Sequence, residues 1–334
     1  MAPRIGSRIG YAARPVHVLI TGAAGFIGSH LTEACLERGW QVTAVDSLTT
    51  YYSPAEKVRN TTGFVGHPAC LYLEQDLLDL DLEALLKDVD TVFHLAAQAG
   101  VRASWGQQFD TYTQLNITAL QRLLEAARST QALKKFVFAS SSSVYGDAET
   151  LPTAEDQILR PISPYGATKA LGENLCYLYY RGFDVPTTSL RFFSVYGPRQ
   201  RPDMGFHRLI EAALSGSAFP LYGDGHQTRD FTYVADIVQG TLLAAARAEP
   251  GSVLNLGGGA RISMTDVISI VEERFPALAV ERMPSGRGDA RDTGADITRA
   301  RDEIGYQPKW TVPEGLRSQI AWHEERHDAA RRRS

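Results

Sequence analysis

The feature that most constrains this chain is a glycine-spaced turn between a predicted strand and a predicted helix. The turn reads Gly22-Ala-Ala-Gly25-Phe-Ile-Gly28. Residues 15–21 before it form a short apolar run rich in β-branched residues, which predicts a buried strand. Residues 29–38 after it have helical apolar spacing. Such a turn lets a pyrophosphate approach the backbone while the helix N-terminus faces its negative charge.

A carboxylate at the end of the next predicted strand extends this pattern. The strand covers residues 41–45 and is followed by Asp46, 24 residues after Gly22. An acid at this position binds the hydroxyls of the adenosine ribose and repels a 2′-phosphate. The sequence therefore predicts a site for NAD rather than NADP. A glycine turn in some other α/β protein is the alternative.

Strands and helices alternate along the chain, as a parallel sheet requires. A long helix is predicted over residues 109–129, and another begins at Tyr165. After residue 198 proline and glycine become frequent and the alternation loosens, which is expected of a substrate-binding lobe. The further predicted strands of the sheet cover residues 71–74, 91–97, 135–140, 187–193 and 253–256.

Tyr165 and Lys169 lie one helical turn apart, so their side chains share a face. A free tyrosine has a pKa near ~10 and is a poor base at neutral pH. A neighbouring ammonium and a positive nicotinamide ring both favour the phenolate. Ser141, at the end of the fifth predicted strand, is placed to share the hydrogen bond to a substrate hydroxyl. Together with a dinucleotide site, Tyr165, Lys169 and Ser141 predict hydride chemistry on an alcohol. Tyr165 and Lys169 alone also fit an ordinary helix surface.

The composition excludes several classes of protein. A formal net charge of −4 argues against nucleic acid as a general partner. Cys35, Cys70 and Cys176 are widely spaced and form no metal or disulfide pattern, which predicts a reducing cytoplasm and no metal site. No run approaches the ~18 apolar residues of a membrane span, so we expect no membrane partner.

Several motifs, taken in order from about Val16 to Trp310, resemble the extended short-chain dehydrogenase/reductase family, specifically its nucleotide-sugar epimerases and dehydratases. The resemblance implies a Rossmann-type doubly wound parallel sheet with bound NAD, and a smaller C-terminal α/β lobe that grips a nucleoside-diphosphate sugar. It also implies a homodimer joined through two helices per subunit. The motifs are Thr21-Gly-Ala-Ala-Gly-Phe-Ile-Gly28, His94-Leu-Ala-Ala97, Ser140-Ser-Ser-Ser-Val-Tyr-Gly146, Tyr165-x-x-x-Lys169 and Gly223-Asp-Gly-His-Gln-Thr-Arg-Asp-Phe231.

The expected organisation follows from these motifs. We expect an NAD-binding domain over residues 15–190, with residues 230–258 returning to it. The nucleotide-sugar lobe comprises residues 191–229 and 259–322. Residues 1–14 are expected to be a disordered leader and residues 323–334 a solvated tail.

The residues after Ser141 bear on which reaction of this family is carried out. The 4,6-dehydratases of the family carry Asp-Glu at the next two positions, and the UDP-glucuronate decarboxylases carry a nearby glutamate. This chain has Ser142-Ser143 instead. Hydroxyls without a strong base do not readily drive elimination, but they donate hydrogen bonds to an anion. The serines therefore favour simple epimerisation through a 4-keto sugar.

Residues 94–102 and 196–204 resemble the UDP-glucuronate 4-epimerase branch of the family. In that branch hydroxyls after the fifth and sixth strands grip the sugar carboxylate, with threonine common where this chain has Ser194. Carbon 4 oxidation of glucuronate gives a β-keto acid that loses carbon dioxide readily when its carboxylate bond aligns with the carbonyl. Holding the carboxylate out of alignment suppresses that loss. The carried-over residues are Ser141, Ser142, Ser143, Ser194 and Arg201.

Each assignment has an alternative: the serines also fit strand-end turns, and Arg201 also fits diphosphate binding or a surface role. In the lobe, Phe206 and Tyr222 are predicted to flank the uracil. Arg229 is predicted to bind the diphosphate together with Arg287 or Arg291, and Asp289 the uridine ribose. His94 is expected to be a packed strand residue rather than a base. The predicted cofactor contacts are Gly22, Gly25, Phe26, Ile27, Gly28, Asp46, Asp76, Leu77, Leu95, Ala96, Ala97, Asn116, Tyr165 and Lys169.

The sequence thus predicts an NAD-dependent 4-epimerase of a UDP-sugar that interconverts UDP-glucuronate and UDP-galacturonate. Tyr165, Lys169 and Ser141 are its expected catalytic residues. A UDP-glucose 4-epimerase is the nearest alternative, because three serines can serve a hydroxymethyl group as well. A UDP-glucuronate decarboxylase and a non-catalytic NAD-binding module remain as further alternatives.

Overall fold

The computed structural model describes residues 14–284 and 291–332. The leader predicted for residues 1–14 therefore lies outside the described residues, apart from Arg14, whose guanidinium pairs with the Asp90 carboxylate at 3.1 Å. Arg287 and Asp289 also lie outside them. Among the described residues, no helix combines the length and the apolar character that a membrane crossing needs.

Seven parallel strands form the central sheet, in the order β3-β2-β1-β4-β5-β6-β10. This order, which reverses between β1 and β4, is that of a doubly wound Rossmann fold. Two small sheets, β11-β9-β7 and β12-β8, belong to the second half of the chain. The strands are β1 (His17–Thr21), β2 (Gln41–Asp46), β3 (Cys70–Glu74), β4 (Thr91–His94), β5 (Lys135–Ser141), β6 (Thr187–Phe192), β7 (Ser194–Tyr196), β8 (Phe219–Tyr222), β9 (Thr228–Tyr233), β10 (Val253–Leu256), β11 (Arg261–Ser263) and β12 (Val280–Met283).

The helices of the central region cover the faces of the sheet. Helix α6 begins with Pro164 in its first turn, and Ser163 caps it by accepting a hydrogen bond from the backbone N–H of Gly166. The helices are α1 (Phe26–Glu37), α2 (Pro54–Asn60), α3 (Leu82–Leu86), α4 (Phe109–Tyr112), α5 (Ala119–Arg128), α6 (Pro164–Phe183), α7 (Gly205–Ser215), α8 (Val234–Arg247), α9 (Met264–Arg274), α10 (Thr298–Ile304) and α11 (Val312–Arg331).

Strand β1 shows why the sheet is buried on both faces. Val18 and Ile20 pack into one hydrophobic core together with α1 and α8, while Leu19 points to the opposite core, which includes α5 and α6. Because successive side chains of a strand alternate between the two faces, a run that is apolar throughout needs cover on both sides. Because all strands of the central sheet run parallel, their carboxyl ends lie together at one edge of the sheet.

The strands predicted from the sequence are present, including the return of Val253–Leu256 to the sheet beside β6, but the strand predicted over residues 91–97 ends at His94. The helix predicted over residues 109–129 is present, but Thr113–Thr118 between α4 and α5 is a π-helical segment. The tail predicted from residue 323 is wrong up to Arg331, because α11 continues through it and His323 is buried. A capping box of Thr311 and Glu314 starts this helix.

Candidate active site

A cleft of about 740 Å³ lies at the carboxyl edge of the central sheet and extends between the sheet and the smaller half of the molecule. Its walls come from the ends of β1, β2, β4 and β5 on one side, and from residues 194–231 and Met264 on the other. Open parallel sheets bind ligands at this edge, where the strand order reverses. The cleft is therefore the candidate site.

The glycine turn forms the floor of one end of the cleft. Gly22 has φ +71°, and a Cβ atom there would lie 2.8 Å from the backbone nitrogen of Ala96. A Cβ on Gly28 would lie 2.0 Å from the carbonyl oxygen of Gly22. Both positions therefore require glycine, because any side chain would push the turn away from the neighbouring strand. The N-terminus of α1 is left facing the cleft, as an anionic group requires.

Asp46 lies at the end of β2 and lines the same part of the cleft. Its carboxylate accepts hydrogen bonds from the backbone N–H groups of Ala24, at 3.0 Å, and Leu48, at 2.8 Å. Burial raises the pKa of this carboxyl, and the charge of Lys57 opposes the rise. Asp46 thus holds the glycine turn and faces the cleft at once.

Tyr165 is half-buried in the middle of the cleft, between the fifth strand and the smaller half. Burial raises the pKa of its phenol, while the Arg201 guanidinium and a hydrogen bond with Ser141 lower it. Lys169 is buried behind it, with Nζ 6.0 Å from the centre of the Tyr165 ring, and donates to the carbonyl of Ala139 at 2.7 Å. Burial lowers the pKa of the Lys169 ammonium to about 8. Arg201, which the sequence did not connect with Tyr165, thus joins Lys169 as a cation near the phenol.

Hydroxyl groups surround Tyr165 at the ends of two neighbouring strands. Ser141 pairs in register with Phe192, so the end of β5 lies beside the residues that lead into Ser194. The Ser141 hydroxyl donates to the hydroxyl of Ser143 at 3.1 Å and accepts from the Ser143 backbone N–H. The structure brings Ser141, Ser142, Ser143 and Ser194 together in the cleft wall.

Arg201 joins these hydroxyls from the loop after β7. Its guanidinium donates two hydrogen bonds of 3.0 Å to the carboxylate of Asp203, and the Tyr51 hydroxyl donates to the same carboxylate at 3.2 Å. All three residues line the cleft. A guanidinium held in this way presents a fixed positive charge to the cavity.

The far end of the cleft is aromatic and basic. The Arg102 guanidinium lies 4.4 Å from the centre of the Tyr222 ring, and Phe206 packs on Phe231 with ring centres 4.3 Å apart. Arg229 also lines the cleft, and its guanidinium donates to the carbonyls of Thr228 and Arg291. Phe206, Tyr222 and Arg229 are thus at the cleft as the sequence predicts, with Arg102 beside them.

Asn116 does not line the cleft, although the sequence places it among the cofactor contacts. It lies in the π-helical segment, where its side-chain oxygen accepts from the Gln98 backbone N–H at 2.7 Å and its amide donates to Thr168 at 3.0 Å. Its groups therefore hold the loop after β4 against α6. Arg291 is exposed, 3.8 Å from the Asp224 carboxylate, and is also not a cleft residue.

His94 is buried, as predicted, and donates or accepts one hydrogen bond of 2.9 Å with the Thr21 hydroxyl. Burial lowers the pKa of its imidazole to about 3, so the ring is neutral. The sequence did not single out Tyr51, Lys57, Asp203 or Arg208, which also line the cleft. Tyr51, Lys57 and Arg208 follow no motif, whereas Asp203 lies within the 196–204 segment, two residues after Arg201.

Three comparisons place this geometry among known proteins. The model of the NAD dependent epimerase/dehydratase family matches residues 18–257. UDP-glucuronate 4-epimerase 2 of Arabidopsis thaliana is 37% identical over 92% of this chain and 76% of its own length. An uncharacterized UDP-glucose epimerase of Bacillus subtilis is 43% identical over 91% of this chain and 97% of its own. The crystal structure of UDP-glucuronic acid 4-epimerase from Bacillus cereus with UDP-glucuronic acid and NAD matches with a TM-score of 0.90 and 40% identity, over 93% of this chain and 99% of that one.

Proposed function

This chain belongs to the NAD dependent epimerase/dehydratase family, and from that premise we propose that it interconverts UDP-glucuronate and UDP-galacturonate by epimerisation at carbon 4. The observation that carries the proposal is the grouping of Ser141, Ser142, Ser143, Ser194 and Arg201 around Tyr165 in one cleft. These groups combine a proton acceptor for a sugar hydroxyl with a set of donors for a carboxylate. The Bacillus cereus and Arabidopsis relatives carry the same activity in their names.

NAD is the cofactor, and the described residues fit it. Gly22 and Gly28 have no room for a Cβ, so glycine at both positions keeps the turn tight, and a pyrophosphate would lie beside it on the N-terminus of α1. Asp46 would take the adenosine ribose hydroxyls, with Asp76 and Leu77 near the adenine. Leu95, Ala96 and Ala97 line the passage toward Tyr165. When bound, NAD would supply the hydride acceptor for carbon 4 of the sugar and the hydride donor for the opposite face.

Tyr165 takes up and returns the proton of the sugar 4-hydroxyl. As a phenolate it accepts the proton of the sugar 4-hydroxyl, and it gives that proton back after the keto sugar has turned over. Ser141 holds the same hydroxyl in place, and Arg201 favours the charged form of the phenol. Lys169, fixed by the Ala139 carbonyl, lies where it can hold the nicotinamide ribose.

The serines and Arg201 hold the carboxylate of the sugar. A 4-keto uronate loses carbon dioxide when its carboxylate bond lines up with the carbonyl π system, so fixed donors that prevent this alignment preserve the intermediate. Arg201 offers a bidentate guanidinium, and Ser142 and Ser194 offer hydroxyl donors from two different strand ends. Phe206 and Tyr222 would flank the uracil, and Arg229 would bind the diphosphate.

Epimerisation of UDP-glucose is the second candidate, favoured by the name of the Bacillus subtilis relative, which is 43% identical. The two substrates differ only at carbon 6, where one has a carboxylate and the other a hydroxymethyl group. A half-buried guanidinium that lines the cleft favours a substrate with an anionic group, so Arg201 favours the acid, although Asp203 already neutralises part of its charge.

Incubation of the purified protein with UDP-glucuronate and, separately, with UDP-glucose tests the proposal, with products followed by proton NMR. We expect conversion of the acid to its 4-epimer at a kcat/KM well above that for UDP-glucose. Preference for UDP-glucose would instead support the second candidate function, epimerisation of UDP-glucose. No conversion of either would contradict both.

A serine variant tests how the carboxylate is held. In Ser142→Ala/Ser194→Ala we expect carbon dioxide and a UDP-pentose alongside the epimer, because two of the donors are gone. The exposed pair Ser217→Ala/Ser269→Ala serves as the matched control and should leave the products unchanged. Clean epimerisation by the first variant would show that these hydroxyls do not protect the intermediate.

We further propose that the protein is a cytoplasmic homodimer. Its described cysteines are free, and burial raises the pKa of the Cys35 thiol to about 12 and of the Cys70 thiol to about 11, as suits structural thiols in a reducing compartment. Helix α6 exposes Leu171, Tyr177 and Leu178, an apolar face that a second copy would cover.

A further inference from the structure

Helices α7 and α11 pack against each other, and each carries a pair of metal-binding residue types one turn apart. Helix α7 has His207 and Glu211, and α11 has His323 and His327. Residues four apart lie on the same face of a helix, so each pair can converge on one point. None of these four side chains was assigned a role in the cleft.

The side chains meet across the helix interface. His207, Glu211 and His323 each offer one ligand atom within 4.8 Å of the others, and the rings of His207 and His323 are 4.5 Å apart. His327 lies at the rim, with Nε2 3.1 Å from a carboxylate oxygen of Glu211. Histidine nitrogen and carboxylate oxygen are the ligand atoms that zinc takes in proteins.

Hydrogen bonds orient both histidine rings, that of the half-buried His207 and that of the buried His323. The Nδ1–H of His207 donates to the carbonyl of Gln200 at 2.8 Å, and Nδ1 of His323 donates to Glu211 at 2.6 Å. A histidine that binds metal generally donates its other ring N–H to a carbonyl or carboxylate in this way. The tautomer of His207 is thereby fixed, with the lone pair on Nε2.

His323 carries an unsatisfied polar atom. Its ring is 1% exposed, and its Nε2 has no hydrogen-bond partner among the described residues. Buried polar atoms are rarely left without a partner, and each exception needs an explanation. A bound cation would provide one.

We propose that His207, Glu211 and His323 bind one divalent transition-metal ion of the zinc class, which fastens α11 to α7. Zinc bonds of about 2.0–2.2 Å bring ligand atoms to roughly 3.3–3.6 Å from one another, so the three side chains need only small rotations. Because Phe206 and Arg208 on α7 line the cleft, the ion would also fix the helix that forms one cleft wall.

Zinc binding to the untagged, chelator-treated full chain tests this proposal by calorimetry and thermal melting. We expect one zinc ion per chain and a rise in Tm on addition of zinc. In His207→Gln and Glu211→Gln the affinity should fall at least about tenfold. His67→Gln, which removes an exposed histidine elsewhere, is the matched control and should bind as the wild type does.

Cobalt provides a second readout that is independent of stability. Co²⁺ bound by two imidazoles and a carboxylate should give a visible absorption spectrum that His323→Gln and His207→Gln each change. Absence of saturable zinc binding at a tenfold molar excess would overturn the proposal. So would zinc binding that neither His207→Gln nor Glu211→Gln weakens.

Discussion

Burial and neighbouring groups shift the pKa of the Tyr165 phenol in opposite directions. Burial raises its pKa, while the Arg201 guanidinium and the Ser141 hydroxyl lower it. A tyrosine in water has a pKa near ~10, so a base at this position needs such help to work at neutral pH. The balance between these groups, more than the presence of Tyr165 itself, decides how well the site takes up a proton.

Tyr165→Phe tests the role of the hydroxyl. We expect kcat to fall by about 10²- to 10⁴-fold, because the general base is lost, while NAD remains bound. Tyr177→Phe, which changes an exposed tyrosine on the same helix, is the control and should retain full activity. Wild-type turnover by Tyr165→Phe would exclude the phenol as the base.

Arg201→Met tests whether the charge of Arg201 lowers the pKa of Tyr165. The phenolate is the active form, so the rate falls as the pH drops through the pKa of Tyr165. Removing the cation raises that pKa, and the acid limb of the kcat profile should move to higher pH. Arg199→Met, which removes an arginine paired with Glu33, should leave the limb in place. An unchanged acid limb in Arg201→Met would show that Arg201 does not lower the pKa of Tyr165.

Not all of these residues could be found from the sequence. Tyr165 and Ser141 lie in recognisable motifs, and both are in the cleft. The effect of Arg201 on Tyr165 was not predictable, because the two are 36 residues apart and meet only when the loop after β7 folds over the end of β5. Asn116 sits in a helix that the sequence does predict, but its contacts with Gln98 and Thr168 depend on the π-helical segment.

Among the elements, α6 is fastened to the sheet by a buried ion pair. The Arg191 guanidinium on β6 donates two hydrogen bonds, of 2.9 and 2.7 Å, to the carboxylate of Glu173 on α6. Arg191 also donates to the Tyr145 hydroxyl at 2.7 Å. Because Glu173 is one turn after Lys169, this pair holds the part of α6 that carries the proposed catalytic residues Tyr165 and Lys169.

Arg191→Met should lower the free energy of unfolding by about 3–5 kcal/mol, because it leaves the Glu173 carboxylate buried without its partner. Arg160→Met, which breaks an exposed pair with Glu149, is the control and should cost about 0–1 kcal/mol. The measurement is denaturant unfolding of both variants. Equal, small losses would mean that the pair does not fasten α6.

The elements themselves were largely predictable because their signals are local. Strand β1 is apolar on both faces, and α6 begins with a serine cap and a proline. The π-helical turns of Thr113–Thr118 and the length of α11 were missed. The π-helical segment has no local signature in the sequence. Helix α11 carries many charged residues, which indicate a solvated tail, although its buried side includes His323.

At the level of the whole molecule, the cleft exists only because distant parts of the chain meet. The central sheet supplies the glycine turn and Tyr165, while residues 194–231 supply the opposite wall. The sequence predicts both parts but not their distance from one another. The division into two domains, with boundaries near residues 190, 229 and 258, stays a prediction.

The dimer is tested on the exposed face of α6. Leu178 is 60% exposed and lies beside Tyr177, so Leu178→Glu should place a charge in the interface and shift the protein from dimer to monomer in light scattering after gel filtration. Leu71→Glu changes a leucine that is 57% exposed on β3 and should leave a dimer. A wild-type monomer, or a dimer that survives Leu178→Glu, would contradict this interface.

In the proposed reaction, carbon 4 of the sugar is oxidised and reduced within one cleft. Incubation with UDP-glucuronate deuterated at carbon 4 tests this reaction, with the product analysed by NMR and mass spectrometry in ordinary water. We expect UDP-galacturonate that retains the deuterium at carbon 4, because the hydride leaves and returns without meeting solvent. Loss of deuterium to water, or inversion at any other carbon, would contradict it.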